Sequence, residues 1–305
     1  RFVATAEAVR QAAPEAVLCG PELWGWPAYF ATAHDREHGG KMDRKARGNV
    51  PFLPWFLERL RRYEARTGNR LLNLLTVHYY PQAPGVFSEQ SGPRQRKLRI
   101  EAPRSLVDAD YRDPSWIDEN IQLIPRLKQW VQARYPGTGI GITEYNWGGE
   151  RDISGALALA TALGIFAEQQ VDLACLWTYP PAGSPTARAF RMFTNVDGRQ
   201  GAFGTRLLRT EWPEAAQKQP ADLSAWAART ADGELVTVII VNRAKQARRL
   251  KLVFSELDVR APAVYIYGPQ SETIMQRPSA VRLAASDAML RIEPWTIYHL
   301  RFPCH

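Results

Sequence analysis

The chain has 305 residues, 45% of them hydrophobic and 23% charged, which is ordinary for a globular protein and long enough for one large domain or two. No apolar run approaches the roughly 20 residues that a membrane-spanning helix needs, so an integral helical membrane protein is excluded. The net charge of +8 is mostly scattered arginine; the densest cluster, Arg94, Arg96, Lys97 and Arg99, lies beside Pro93 and Pro103 with no aromatic residues interleaved. That pattern predicts a solvated loop and argues against a nucleic-acid surface, where bases would need stacking partners.

Along the chain, strand-like and helix-like runs alternate. A helical pattern from Phe2 to Ala13 leads through Pro14 into an apolar strand at Ala16–Cys19, which ends at Gly20-Pro21-Glu22-Leu23-Trp24-Gly25-Trp26. A helix from about Phe52 to Arg66 stops at Gly68. Leu71 to Val77 forms the second strand, ending at His78-Tyr79-Tyr80-Pro81. A polar loop of about thirty residues follows, too long to be a mere connection. Asp113-Pro114 starts a third helix that continues to about Tyr135. The third strand enters from Ile140 and closes on Gly141-Ile142-Thr143-Glu144-Tyr145-Asn146-Trp147, before a glycine pair. Ser154 caps the next helix, and Leu173 to Trp177 is the fourth strand, ending at Trp177-Thr178-Tyr179-Pro180.

These strands are apolar on both faces and alternate with helices, the signature of a parallel βα sheet. Their C-terminal ends, where such sheets gather their sites, carry Glu22 and Trp24, His78 and Tyr79, Glu144 and Tyr145, and Trp177 and Tyr179. No glycine-rich phosphate loop follows a strand, which argues against a nucleotide site. After about Phe203 the texture changes to short strand runs at Leu223–Ala227, Leu235–Val241, Leu250–Phe254, Val264–Tyr267, Val281–Leu283, Met289–Ile292 and Thr296–Phe302, separated by turns such as Asp232-Gly233. That spacing predicts an antiparallel β-sandwich. The expected division is therefore a barrel-type part over residues 1–202 and a sandwich over 203–305.

Carboxylates beside Trp, Tyr and His suit sugar chemistry, because pyranose faces stack on aromatic rings while hydroxyls need amide and carboxylate partners. His34-Asp35-Arg36-Glu37-His38 fits a zinc-protease pattern that works only on a helix. Gly39-Gly40 follows at once and no third ligand is apparent, so this stretch reads as a solvated loop. Cys19, Cys175 and Cys304 show neither disulfide nor metal spacing. The chain opens on Arg1 inside a helical pattern with no signal peptide, which leads to the expectation that a segment precedes it.

Several motifs, in order over roughly residues 14 to 205, resemble glycoside hydrolase family 44, a family of endo-β-1,4-glucanases and xyloglucanases. They are Gly20-Pro21-Glu22 with Trp24-Gly25-Trp26, Asp43-Arg44 before Pro51-Phe52 and Trp55, His78-Tyr79-Tyr80-Pro81 and Thr143-Glu144-Tyr145-Asn146-Trp147-Gly148. Further on come Gly164-Ile165-Phe166, Asp172-Leu173-Ala174 with Leu176-Trp177, and Ala189-Phe190-Arg191-Met192 with Asn195 and Asp197-Gly198. The resemblance implies the C-terminal half of a (β/α)8 barrel followed by a β-sandwich, and a retaining mechanism with Glu144 as nucleophile. The family's general acid sits in an Asn-Glu-Pro motif that this chain lacks. Trp24, Trp26, Trp147 and Trp177 are then candidate sugar platforms. His78, Tyr79, Tyr145 and Asn146 would orient Glu144 or bind hydroxyls, and Glu22 and Tyr179 would contact substrate, Glu22 directly or from behind such a contact. The resemblance further implies a β-glucan polysaccharide substrate, secretion, a monomer, no catalytic cofactor, and room for a structural calcium. A non-catalytic glycan-binding protein is the competing expectation.

Overall fold

A computed structural model describes residues 1–38, 42–212, 220–255, 257–277, 281–284 and 287–304; Gly39-Gly40 lie outside them. The chain forms two compact units. The first takes residues Arg1–Pro81, Arg104–Asn146 and Gln169–Thr178; the second takes Gln82–Pro103, Trp147–Glu168 and Tyr179–His305.

The first unit is built on four parallel strands, β1 (Cys19–Leu23), β2 (Leu74–Tyr79), β3 (Gly139–Tyr145) and β4 (Leu173–Leu176), neighbours in chain order. Its helices are α1 (Phe2–Ala12), the short α2 (Trp26–Phe30), α3 (Ala33–Glu37) and α4 (Met42–Ala46), α5 (Phe52–Thr67), and, further along the chain, α7 (Leu123–Arg134). α5 buries Leu53, Phe56, Leu57 and Leu60, spaced to form one stripe, and ends as expected on Gly68 in the left-handed region at φ 73°. β1 starts three residues later than its expected Ala16, because Leu18 is engaged by the Asn73 side chain and pairing begins only at Cys19↔Leu74. Pro21, read as part of a loop, sits inside β1, an edge strand among the described residues, where a missing N–H is tolerated. The helix expected from Asp113 starts only at Leu123: the Asp113 carboxylate accepts the Ser115 N–H and hydroxyl, closing a local turn.

The second unit contains α6 (Pro93–Glu101), α8 (Ile153–Glu168), α9 (Pro185–Thr194) and two antiparallel sheets. The strands are β5 (Arg206–Leu208), β6 (Leu223–Arg229), β7 (Leu235–Asn242), β8 (Arg248–Val253), β9 (Ala263–Tyr267), β10 (Met275–Gln276), β11 (Val281–Ala284), β12 (Asp287–Ile292) and β13 (Thr296–Pro303). They order as β10-β9-β13-β7-β6-β5 and β11-β12-β8. Val238, Ile240, Tyr298 and Leu300 of the larger sheet and Ala288, Leu290 and Ile292 of the smaller share one apolar cluster. Helices also belong to this unit: Gly164 of α8 lies under the Trp226 indole, and Arg243 donates to Thr161 at 2.9 Å. The division therefore differs from a single boundary after residue 202.

The arginine cluster is a correction to the sequence reading. Residues 93–101 form α6, continued by a 3-10 turn over Ala102–Leu106, and the one residue of α6 that is buried is Arg99, at 0% exposure. Hydrophobic periodicity could not find a helix whose buried face is a guanidinium. Arg99 donates to the carbonyls of Val86 (3.1 Å), Ser88 (2.9 Å), Gln90 (2.8 Å) and Trp147 (3.1 Å) and to the Ser154 hydroxyl (2.8 Å), holding the loop before α6 to the start of α8. Replacing it by lysine removes the planar fork and leaves buried carbonyls unpaired. Arg99→Lys is expected to cost about 3–5 kcal/mol in chemical unfolding, and an unchanged midpoint would contradict this role.

His299 on β13 is buried, and its Nδ1–H donates to the Met192 carbonyl at 2.6 Å. Burial, with Arg301 adding, pushes its pKa down from 6.5 to about 4, against the opposing pull of the Met192 bond. The unfolded chain therefore takes up this proton first as pH falls. The stabilisation is complete above the unfolded value of 6.5 and is lost on acidification towards about 4. His299→Leu is expected to flatten the fall in unfolding free energy between those pH values by on the order of 3 kcal/mol; an identical pH slope in the variant would overturn the assignment.

Candidate active site

Two irregularities in the parallel sheet build the site. Pro21 pairs with Thr76 and Leu23 with Val77, so Glu22 is an extra residue in β1. Val77 pairs with Ile142 and His78 with Glu144, so Thr143 is an extra residue in β3. Both bulges flank the C-terminal end of β2, and a bulge re-aims the side chain it carries. Glu22 adopts φ 59°, a left-handed backbone unusual for a non-glycine residue.

The side chains converge around one imidazole. The Glu22 carboxylate accepts hydrogen bonds from Thr76 Oγ1 (2.5 Å) and Thr143 Oγ1 (2.5 Å) and meets His78 Nε2 at 3.2 Å. The other ring nitrogen, Nδ1, lies 3.1 Å from Glu144 Oε2. The Tyr80 hydroxyl donates to the same Glu144 Oε2 at 2.9 Å, and burial together with Glu144 pushes the Tyr80 pKa up, keeping that proton in place. The His78 carbonyl accepts from the Tyr29 hydroxyl, which anchors the backbone behind the ring. Side-chain exposure is 44% for Glu22, 26% for Glu144 and 17% for His78, so both carboxylates are open to a ligand while the ring between them is largely covered. Among the described residues, Glu144 Oε1 has no hydrogen bond.

Glu22, His78 and Glu144 are thus brought together as the sequence suggested, with Thr76, Tyr80 and Thr143 added. Tyr79 is buried and donates to Ser105 at 2.7 Å. Strand alternation explains the exchange: His78 and Tyr80 share one face of β2, and Tyr79 faces the other. Counting by two from His78 would have found Tyr80. Tyr145, next to Glu144, is buried for the same reason. Trp26 is not an open platform either; it is buried edge-on against Tyr29 (5.8 Å) and Phe30 (4.9 Å). Asn146 is buried and donates through Nδ2 to the Trp177 carbonyl, so its amide holds backbone. Trp147, in the second unit, is buried beside Phe166. Three aromatic side chains stay open: Trp24 at 54%, Trp177 at 51% and Tyr179 at 97%. The Arg36 guanidinium stands 4.8 Å from the centre of the Trp24 ring.

His34 lies on α3, a five-residue helix and not the expected loop, with the His38 ring stacked on its own at 4.4 Å. Among the described residues, His34, Asp35 and Asp43 are the group whose ligand atoms come close enough for a metal ion. The group does not fit calcium, which takes six to eight oxygen ligands. Asp35 already accepts the backbone N–H groups of Asp43 (2.8 Å) and Arg44 (3.1 Å), and Asp43 accepts the Thr32 hydroxyl (2.6 Å).

A parallel sheet presenting carboxylates and open indoles at the C-terminal ends of its strands defines an α/β protein with a site suited to sugars. Comparison with known proteins makes this specific. Residues 1–83 match the family model for glycoside hydrolase family 44. The chain is 35% identical over 209 residues to endoglucanase A of Paenibacillus lautus, covering 65% of this chain and 29% of the relative. Among solved structures, a bifunctional glucanase-xylanase from a metagenome library superposes with TM-score 0.93 at 35% identity, over 100% of this chain and 59% of the other. A family 44 xyloglucanase from Paenibacillus polymyxa, solved with xyloglucan, superposes with TM-score 0.86 at 26% identity over 99% and 60%. The chain is thus similar to glycoside hydrolase family 44, and it spans less than two thirds of the length of these relatives. Among the described residues, no helix is long and apolar enough to cross a membrane.

The half-open Trp177 indole at the end of β4 is the natural test of sugar contact. Trp177→Ala is expected to weaken cello-oligosaccharide binding by about 1–3 kcal/mol in calorimetry while leaving the melting temperature nearly unchanged. Unchanged affinity with a large stability loss would return Trp177 to a packing role.

Proposed function

We propose that this chain carries the nucleophile side of a retaining, endo-acting glycoside hydrolase that cleaves β-1,4-glucan-type polysaccharide such as cellulose, carboxymethyl-cellulose or xyloglucan. The observation that carries this reading is the state of Glu144. It ends a parallel strand, its Oε2 is fixed by Tyr80 and His78, and its Oε1 is left for attack. A module that only bound glucan would gain nothing from a carboxylate held in this way. The relatives, an endoglucanase and a xyloglucanase solved with xyloglucan, support the substrate class.

In this reading Glu144 Oε1 attacks the anomeric carbon as the glycosidic C–O bond breaks, and the leaving oxygen takes a proton from a general acid. Water then cleaves the glycosyl-enzyme bond and returns the carboxylate. The acid is not Glu22. A retaining pair stands about 5–5.5 Å apart with the scissile bond between, whereas the His78 ring occupies the space between Glu22 and Glu144. We place the acid outside these residues, on a strand end of the same barrel, with the four strands here forming its C-terminal half and the antiparallel sheets a β-sandwich. Secretion and a monomeric state complete the proposal.

In the full-length enzyme, Glu144→Gln keeps the shape and removes the attacking charge. Turnover on carboxymethyl-cellulose is expected to fall by about three orders of magnitude or more with oligosaccharide binding largely kept. Near-normal turnover would exclude Glu144 as nucleophile.

A further inference from the structure

Glu22 has geometry that substrate contact alone does not explain. It is the extra residue of a bulge, with its backbone in the left-handed region at φ 59°. Such a conformation in a non-glycine residue costs on the order of 1 kcal/mol and persists where surrounding contacts over-determine it. Those contacts are all to the carboxylate: Thr76 from β2, Thr143 from the facing bulge of β3, and the Nε2 of His78. Thr143 directly precedes Glu144 in β3, and Thr76 lies two residues before His78 in β2. Oε1 is occupied by Thr76 and Oε2 by both Thr143 and His78, so the carboxylate is committed to protein donors.

We propose that Glu22 is a positioning residue that acts on the nucleophile through His78 and Thr143. Its carboxylate fixes the tilt of the imidazole through Nε2, and the ring's Nδ1 in turn fixes Glu144 Oε2. Its bond to the Thr143 hydroxyl pins the bulge residue that precedes Glu144 in β3. Two independent linkages, one through a side chain and one through the backbone, therefore run from Glu22 to the same carboxylate. The ring also separates the two carboxylates, so Glu22 holds the nucleophile without competing for the anomeric carbon. This proposal rests on Glu144 being the nucleophile.

The test is a double-mutant cycle in the full-length enzyme, with cellotetraose as substrate and Glu144→Gln as the control for the underlying reading. Glu22→Gln preserves the outline but turns one oxygen into a donor, so at least one of the three donors loses its acceptor. It is expected to lower kcat by about 10- to 100-fold with KM changed less than about twofold, because misplacing a reacting group costs rate and not affinity. His78→Gln is expected to lower kcat as well, and Glu22→Gln added to it should cost clearly less than it does alone, the remainder passing through Thr143. Thr143→Val, which removes one hydrogen bond and no charge, should give a smaller fall in kcat and serves if Glu22→Gln does not fold. Additive losses in the cycle, a rise in KM with kcat intact, or unchanged kinetics in Glu22→Gln and Thr143→Val would each overturn the proposal. Activity retained in Glu144→Gln would instead remove the reading beneath it.

Discussion

The imidazole of His78, with a carboxylate on each ring nitrogen, is the contact on which the site depends. A nucleophilic carboxylate has to be aimed, and a free glutamate side chain has three rotatable bonds with which to avoid that. Here the freedom is reduced by two contacts on one oxygen of Glu144, the hydrogen bond from the Tyr80 hydroxyl and the His78 ring at 3.1 Å. The ring is itself held at its far nitrogen by Glu22 and behind its backbone by Tyr29. In the proposed reaction the attacking Oε1 needs no restraint of its own, because the carboxylate plane is set by the other oxygen.

The sheet supplies this arrangement through departures from regularity. A regular parallel ladder would give Glu22 and Thr143 fixed partners on β2 and send their side chains to faces dictated by strict alternation. One extra residue in each strand flanking β2 shifts them towards β2, where Thr76 and His78 receive them. The left-handed backbone at Glu22 is the local cost, offset by the hydrogen bonds its carboxylate accepts. The second unit shows a related economy in Arg99, where one buried guanidinium satisfies the carbonyls of a loop and of the segment leading into α8.

The strands could be read because apolar runs with turn residues between them are a direct record of burial. β3 and most strands after residue 220 lie close to their expected limits, β2 starts three residues later than its expected Leu71, and Glu144 stands out as a carboxylate ending an apolar run. The network around it was less legible, because bulges are relations between strands and leave no mark in either strand alone. Tyr80 was accessible in principle from alternation, whereas Thr76 and Thr143 look like ordinary β-branched strand residues. Tyr79, Tyr145, Trp26 and Trp147 were overcounted as site residues because clustering near a strand end does not distinguish its two faces. α6 stayed hidden because its buried residue is charged, and Asp113 misled because an Asp-Pro pair begins a turn as readily as a helix.

The central claim is that Glu144, held through Oε2, forms the covalent bond to the sugar. Its most direct test is to trap that bond in the full-length enzyme with a 2-deoxy-2-fluoro cello-oligosaccharide fluoride and to map the labelled peptide by mass spectrometry. A single glycosyl adduct is expected on Glu144, within the peptide that carries Thr143-Glu144-Tyr145. An adduct on Glu22, or turnover that inverts the anomeric centre and leaves no residue labelled, would contradict it.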